Sequence, residues 1–109
     1  MTRFTLADLE QRVKARAQDS AANSYTRQLL DKGVSHCAKK FGEEAIEAVL
    51  AAVGEDRERL IAESADTLYH LLVLLEVRGV TLAEVEALLE TRTKKSGLEE
   101  KASRQEADR

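Results

Sequence analysis

Apolar residues recur along this chain at helical spacing. Leu6, Leu9 and Val13 follow Thr5, with Asp8 three residues beyond it, and predict a first amphipathic helix reaching about Gln18. The small, polar stretch Asp19-Ser-Ala-Ala-Asn-Ser24 reads as a loop, placed to face a ligand, and Tyr25 to Lys32 as a short helix ending at Gly33. Ser35 is expected to cap a long third helix that reaches Val53, with Gly54 as its terminator and Glu55 and Asp56 favouring the first turn of the next. The fourth helix is expected from about Asp56 to Arg78, stopping at Gly79. Thr81 with Glu84 is a capping-box signature for a last helix carrying Leu82, Val85, Leu88 and Leu89. Five helical segments result, forming one domain over residues 1–95. Residues 96–109 are charged and nearly core-less, the pattern of a flexible tail.

Composition agrees with this pattern. The 109 residues contain no proline and few glycines, while Ala, Leu, Glu, Lys and Arg dominate. The expectation is an all-α helical bundle. Leu60, Ile61, Leu68, Leu71 to Leu75 and Val77 make the fourth helix apolar nearly all round, so a homo-oligomer, most simply a homodimer, is expected to complete the core. A formal net charge of −3 offers no basic face for a nucleic-acid backbone. The most apolar run, Leu71 to Leu75, is too short to span a bilayer, and the N-terminal residues lack a signal core. The lone Cys37 cannot form an internal disulfide and reads as an ordinary buried thiol. Together these features predict a soluble cytoplasmic protein with neither nucleic-acid nor membrane partners.

The acidic residues carry the chemistry. Glu44 and Glu47 are three apart on the third helix, and Glu63 and Asp66 three apart on the fourth, so each pair shares a helical face. Across the short connection the helices should run antiparallel, with each pair roughly 9 to 10 residues, or ~14 Å, from the turn. Glu63, Asp66 and His70 fall in an arc of roughly 60° on an otherwise apolar helix. Four carboxylates gathered without a cation would repel one another and resist desolvation. Oxygen-only ligands favour Mg2+, with Mn2+ as a possible substitute, and magnesium commonly binds phosphate oxygens beside a few carboxylates. For an isolated Glu-x-x-Glu pair a solvated face is the usual meaning; two pairs in register across a hairpin point instead to a metal. For His70, a structural hydrogen bond ranks ahead of direct ligation.

The pattern Glu44-x-x-Glu47 … Glu63-x-x-Asp66 resembles the metal motif of the MazG-like superfamily of all-α nucleotide pyrophosphohydrolases. Three further blocks resemble its phosphoribosyl-ATP pyrophosphohydrolase branch. They are Ser24-Tyr25-Thr26 with Leu29-Leu30 and Gly33, then Lys40-Phe41-Gly42-Glu43-Glu44-Ala45-Ile46-Glu47, and finally Glu63 to Val73 with Tyr69-His70-Leu-Leu at its centre. They span roughly residues 6 to 92; His36-Cys37 departs from the family's usual polar-aliphatic pair but lies outside the ligand motif. The resemblance implies release of pyrophosphate from phosphoribosyl-ATP to leave phosphoribosyl-AMP, the second step of histidine biosynthesis, by a stand-alone enzyme without a cyclohydrolase domain. It further implies that Glu44, Glu47, Glu63 and Asp66 hold magnesium and that Lys40 offsets charge on phosphate oxygens. Glu43 or one of the ligands such as Glu44 would be the general base, and Ser24, Tyr25, Thr26, Lys40 and His70 would meet the substrate. Two bland alternatives are that Lys40 pairs with Glu44, and that Ser24 is a helix cap beside a core tyrosine. At the level of function, a house-cleaning nucleoside triphosphate pyrophosphohydrolase and a helical metal-binding or interaction protein remain open.

Overall fold

A computed structural model describes residues 3–94 and 97–107, and among these the chain is all-α. Six helices follow one another: α1 (Leu6–Ala17), α2 (Tyr25–Asp31), α3 (Val34–Val53), α4 (Arg57–Val77), α5 (Leu82–Thr93) and α6 (Gly97–Ala107). Both capping boxes form: the Thr5 and Thr81 side chains accept the backbone N–H of Asp8 and Glu84, whose carboxylates accept the cap N–H in return. Asp56 caps α4 by accepting the Arg59 N–H at 3.0 Å.

Three local expectations need correction. Ser35 is not the cap of α3. The helix begins two residues earlier than that cap would place it, at Val34, and its N-cap is Gly33, at φ 91° and with no side-chain cap bond. A side chain would be strained at that angle, which suits the glycine to its place. At the far end Gly54 does close α3, but in right-handed geometry; the left-handed residue of the turn is Glu55, at φ 61°. Finally, the count rises from five to six because α6 occupies most of the stretch expected as a tail. Its Glu, Lys, Ala and Arg are strong helix formers, and the helix forms with Leu98 83% exposed. The boundary placed at residues 95 and 96 lies outside the described residues, as do Met1, Thr2, Asp108 and Arg109.

The most extensive packing joins α3 to α4 as an antiparallel hairpin, and α1 and α2 lie against it. Val13, Leu29, Cys37, Leu72, Val73 and Leu82 form the core, with Leu9, Leu30, Tyr69, Leu74, Leu75 and Val77 packed around them. One residue from each of α1, α2, α3 and α5 thus meets two from α4. Two polar ties reinforce this assembly: Lys14 reaches Glu76 on α4 at 2.8 Å, and Glu10 accepts the first N–H of α5, from Leu82, at 2.8 Å. Cys37 is buried, its thiol donating to the Leu29 carbonyl at 3.2 Å, and burial pushes its pKa up, so it is the unreactive thiol expected. No described helix is long and apolar enough to cross a membrane.

The α3–α4 hairpin leaves an apolar surface uncovered. Ile46, Val49, Leu50 and Val53 stand at i, i+3, i+4 and i+7 on α3, between 53% and 76% exposed, and Ile61 on α4 is 57% exposed. This is the periodicity of a helix face that packs against another helix.

Candidate active site

Glu44 on α3 and Glu63 and Asp66 on α4 each direct a carboxylate oxygen to one place, the three atoms lying within 4.8 Å of one another. The backbone there is held by a residue that the sequence pattern did not single out. Thr67 Oγ lies 2.7 Å from the Glu63 carbonyl and 3.0 Å from the Glu44 carbonyl, so one hydroxyl spans the two helices at the level of the carboxylates. A threonine following an acidic motif is the only signal, and it does not reveal a bond across a hairpin.

The electrostatics of the cluster are strained in the direction a cation would relieve. Burial first, and then the charges of Glu44, Asp66 and Glu47, push the Glu63 carboxyl above its ordinary value of 4.5, with Arg59 pulling the other way. Three convergent oxygens from two helices suit a hard divalent cation. Glu47 is close enough to act on Glu63 but is not one of the three convergent groups; its carboxylate instead binds Arg59 Nη at 2.8 Å. Arg59 is twelve positions away and reaches Glu47 only because the chain doubles back.

The other expected site residues lie at different places. Lys40 pairs loosely with Glu43 at 3.9 Å rather than with Glu44, with Glu43 exposed and Lys40 partly buried. His70 is buried, 8% exposed, with Nδ1 2.8 Å from the Asp66 carbonyl. A carbonyl only accepts, so Nδ1 carries the proton, and Nε2 is a buried acceptor without a partner among the described residues. The ring stands edge-on to Tyr69, with centroids 5.0 Å apart, below the surface and not in an open cleft.

Beside α4 lies an open cleft of about 390 Å³ lined by Arg16, Asp19, Asn23, Ser24, Tyr25, Thr26 and Tyr69. Ser24 is buried and caps α2 by accepting the Arg27 N–H at 3.1 Å. Thr26, 1% exposed, shares a 2.6 Å hydrogen bond with the Tyr69 hydroxyl. Tyr25 is 53% exposed and so is not a core tyrosine; that part falls to Tyr69. The Ser-Tyr-Thr block therefore does two jobs, capping a helix and facing a cleft.

The family profile described as phosphoribosyl-ATP pyrophosphohydrolase matches residues 6–93. The chain belongs to this family. Relatives extend the match over nearly the whole length: a protein of Bradyrhizobium diazoefficiens named phosphoribosyl-ATP pyrophosphatase 1 is 64% identical over 97% of this chain and all of its own. A protein of the same name from Rhodopseudomonas palustris is 64% identical over 95% of this chain and 97% of its own, and the phosphoribosyl-ATP pyrophosphatase of Azorhizobium caulinodans is 64% identical over 94% of each. The family's profile thus contains both arms of the acidic hairpin and every residue of the hydrophobic core, and leaves α6 outside it.

Proposed function

We propose that this chain hydrolyses phosphoribosyl-ATP to phosphoribosyl-AMP and pyrophosphate, the second step of histidine biosynthesis, using magnesium held by Glu44, Glu63 and Asp66 with Glu47 as a fourth ligand. The observation that carries the reading is the convergence of three carboxylate oxygens within 4.8 Å from the two arms of one hairpin, in a chain whose relatives are named for this reaction. When bound, magnesium supplies the charge that draws triphosphate oxygens together and makes a water more acidic; manganese has the same ligand preferences. Glu47 would join the set on giving up Arg59 for the ion. Both partners of that bridge are nearly half exposed, so its loss costs little.

The protein's own groups do the rest. Lys40, held only loosely by Glu43, is free to turn toward phosphate oxygens, where its charge offsets the charge developing on the leaving pyrophosphate. Glu43 is then the carboxylate outside the metal set that takes a proton from water; one of the ligands, Glu44 foremost, is the alternative base. His70 acts from below: its bond to the Asp66 carbonyl fixes the turn of α4 that presents the Asp66 carboxylate. Ser24, Tyr25 and Thr26 form the substrate-facing side of the neighbouring cleft.

The working form is a homodimer in the cytoplasm, with the uncovered α3–α4 face buried against a second copy and the α6 segment dispensable for that assembly. Product analysis with phosphoribosyl-ATP and magnesium tests the reading, alongside a panel of ordinary nucleoside triphosphates. Pyrophosphate and phosphoribosyl-AMP from the first substrate in preference to the panel support it; turnover of the panel alone would make the chain a house-cleaning enzyme, and no turnover would leave only metal binding.

A further inference from the structure

The cleft beside α4 differs in chemistry from the acidic cluster. Arg16 sits at its edge in the last turn of α1, and its guanidinium has neither an ion pair nor a hydrogen bond among the described residues. The other groups facing the space are mainly proton donors. Ser24 Oγ accepts the Arg27 N–H, which leaves its own O–H proton available. The Thr26–Tyr69 pair uses one of its two hydroxyl protons internally and retains the other. The one anion of the lining, Asp19, has an oxygen engaged by the Ser20 N–H at 2.8 Å.

Position complements this chemistry. Tyr69 lies three residues beyond Asp66 on α4, a rise of about 4.5 Å and a rotation of about 60°. The cleft and the acidic cluster are therefore neighbours along one helix, one offering hydroxyl donors and the Arg16 guanidinium and the other carboxylates. An anion without a bound cation is repelled by the second and attracted by the first.

We infer that Arg16, with the hydroxyls of Ser24 and Tyr69, binds the phosphorylated pentose end of the substrate, while the acidic cluster takes the phosphoanhydride end. This rests on the functional reading above, since an ordinary nucleoside triphosphate has no second phosphorylated sugar. The phosphomonoester meets the guanidinium, whose planar fork matches phosphate oxygens, and the free oxygen of Asp19 accepts from the ribose hydroxyls. Arg16 is thereby the residue that separates phosphoribosyl-ATP from ATP.

The probe is ribose 5-phosphate, titrated without metal into the full-length protein and followed by calorimetry, with pyrophosphate plus magnesium as the comparison. Wild type should bind ribose 5-phosphate, Arg16→Gln should lose about tenfold or more of that affinity, and Arg16→Lys should keep part of it. Pyrophosphate binding and the thermal shift caused by magnesium should be the same in all three. In turnover, Arg16→Gln should raise KM for phosphoribosyl-ATP about tenfold with kcat within twofold. Arg16 is exposed, so folding is not at stake, and melting curves verify this. Unchanged ribose 5-phosphate affinity and KM in Arg16→Gln, or an equal loss toward pyrophosphate, would overturn the inference. A wild type that binds ribose 5-phosphate through Arg16 yet releases no pyrophosphate from phosphoribosyl-ATP would uphold the cleft and overturn the reaction.

Discussion

Asp66→Asn separates metal chemistry from structure at a single atom. His70 bonds to the main-chain carbonyl of residue 66, and Thr67 ties the carbonyls of Glu44 and Glu63, so none of the bonds that fix this part of the hairpin involves the Asp66 carboxylate. The substitution removes one of three convergent charges and leaves the packing alone. In wild type, magnesium at a hundred times its dissociation constant should stabilise the folded state by about 2.7 kcal/mol, or about 10 °C in melting temperature for a domain of this size. Asp66→Asn should lose most of that shift while its metal-free melt stays level or rises, because repulsion in the cluster is relieved. Turnover should fall a hundredfold or more, the scale on which losing one preorganised electrostatic group is felt. The assay is pyrophosphate release across a magnesium titration, paired with thermal melts with and without the ion. Near-normal turnover and an undiminished magnesium shift would show that Glu63 and Asp66 are not a metal pair.

Three further outcomes follow from the same structure. Tyr69→Phe strands the nearly inaccessible Thr26 hydroxyl and should cost about 1 to 3 kcal/mol in urea unfolding. Because the Glu63 carboxyl binds its proton more tightly folded than unfolded, its contribution to metal-free stability is full below pH 4.5 and is lost as pH rises through the raised folded value; melts of Glu63→Gln should lack that decline, and saturating magnesium should abolish it in wild type. Val49→Glu puts a charge in the uncovered α3 face and should yield monomers by light scattering where wild type is dimeric, whereas a wild type that is monomeric at micromolar concentration would refute the dimer.

Where the information is local, the fold could be read directly. Thr5 with Asp8 and Thr81 with Glu84 marked their helix starts because a capping box is complete within four residues. Gly79, at φ 70°, followed α4 for the usual reason. Ser35 misled because a serine near a helix start resembles a cap, while the residue that turns the chain, Gly33, has no side chain to advertise it. The pairing of Glu47 with Arg59 and of Thr26 with Tyr69 joins residues twelve and forty-three positions apart, which no periodicity encodes. The acidic hairpin was legible since both arms repeat one spacing about one turn; Arg16 was not, as its meaning comes from a cleft assembled by α1, α2 and α4.

The α3–α4 turn has a consequence for how this protein tolerates change. The acidic cluster is divided between the arms, Glu44 on α3 and Glu63 and Asp66 on α4, and the arms meet through Gly54 and Glu55, with the Asp56 N–H still bonded to the Ala51 carbonyl at 3.4 Å. The turn thus works as a vernier: adding one residue to either arm slides its carboxylates by about 1.5 Å and swings them by about 100° relative to the other. Surface loops usually absorb insertions, and the segment between α1 and α2 or between α4 and α5 can lengthen without moving one carboxylate against another. In an arm of this hairpin the same insertion is a lesion at the acidic cluster, delivered from roughly 14 Å away.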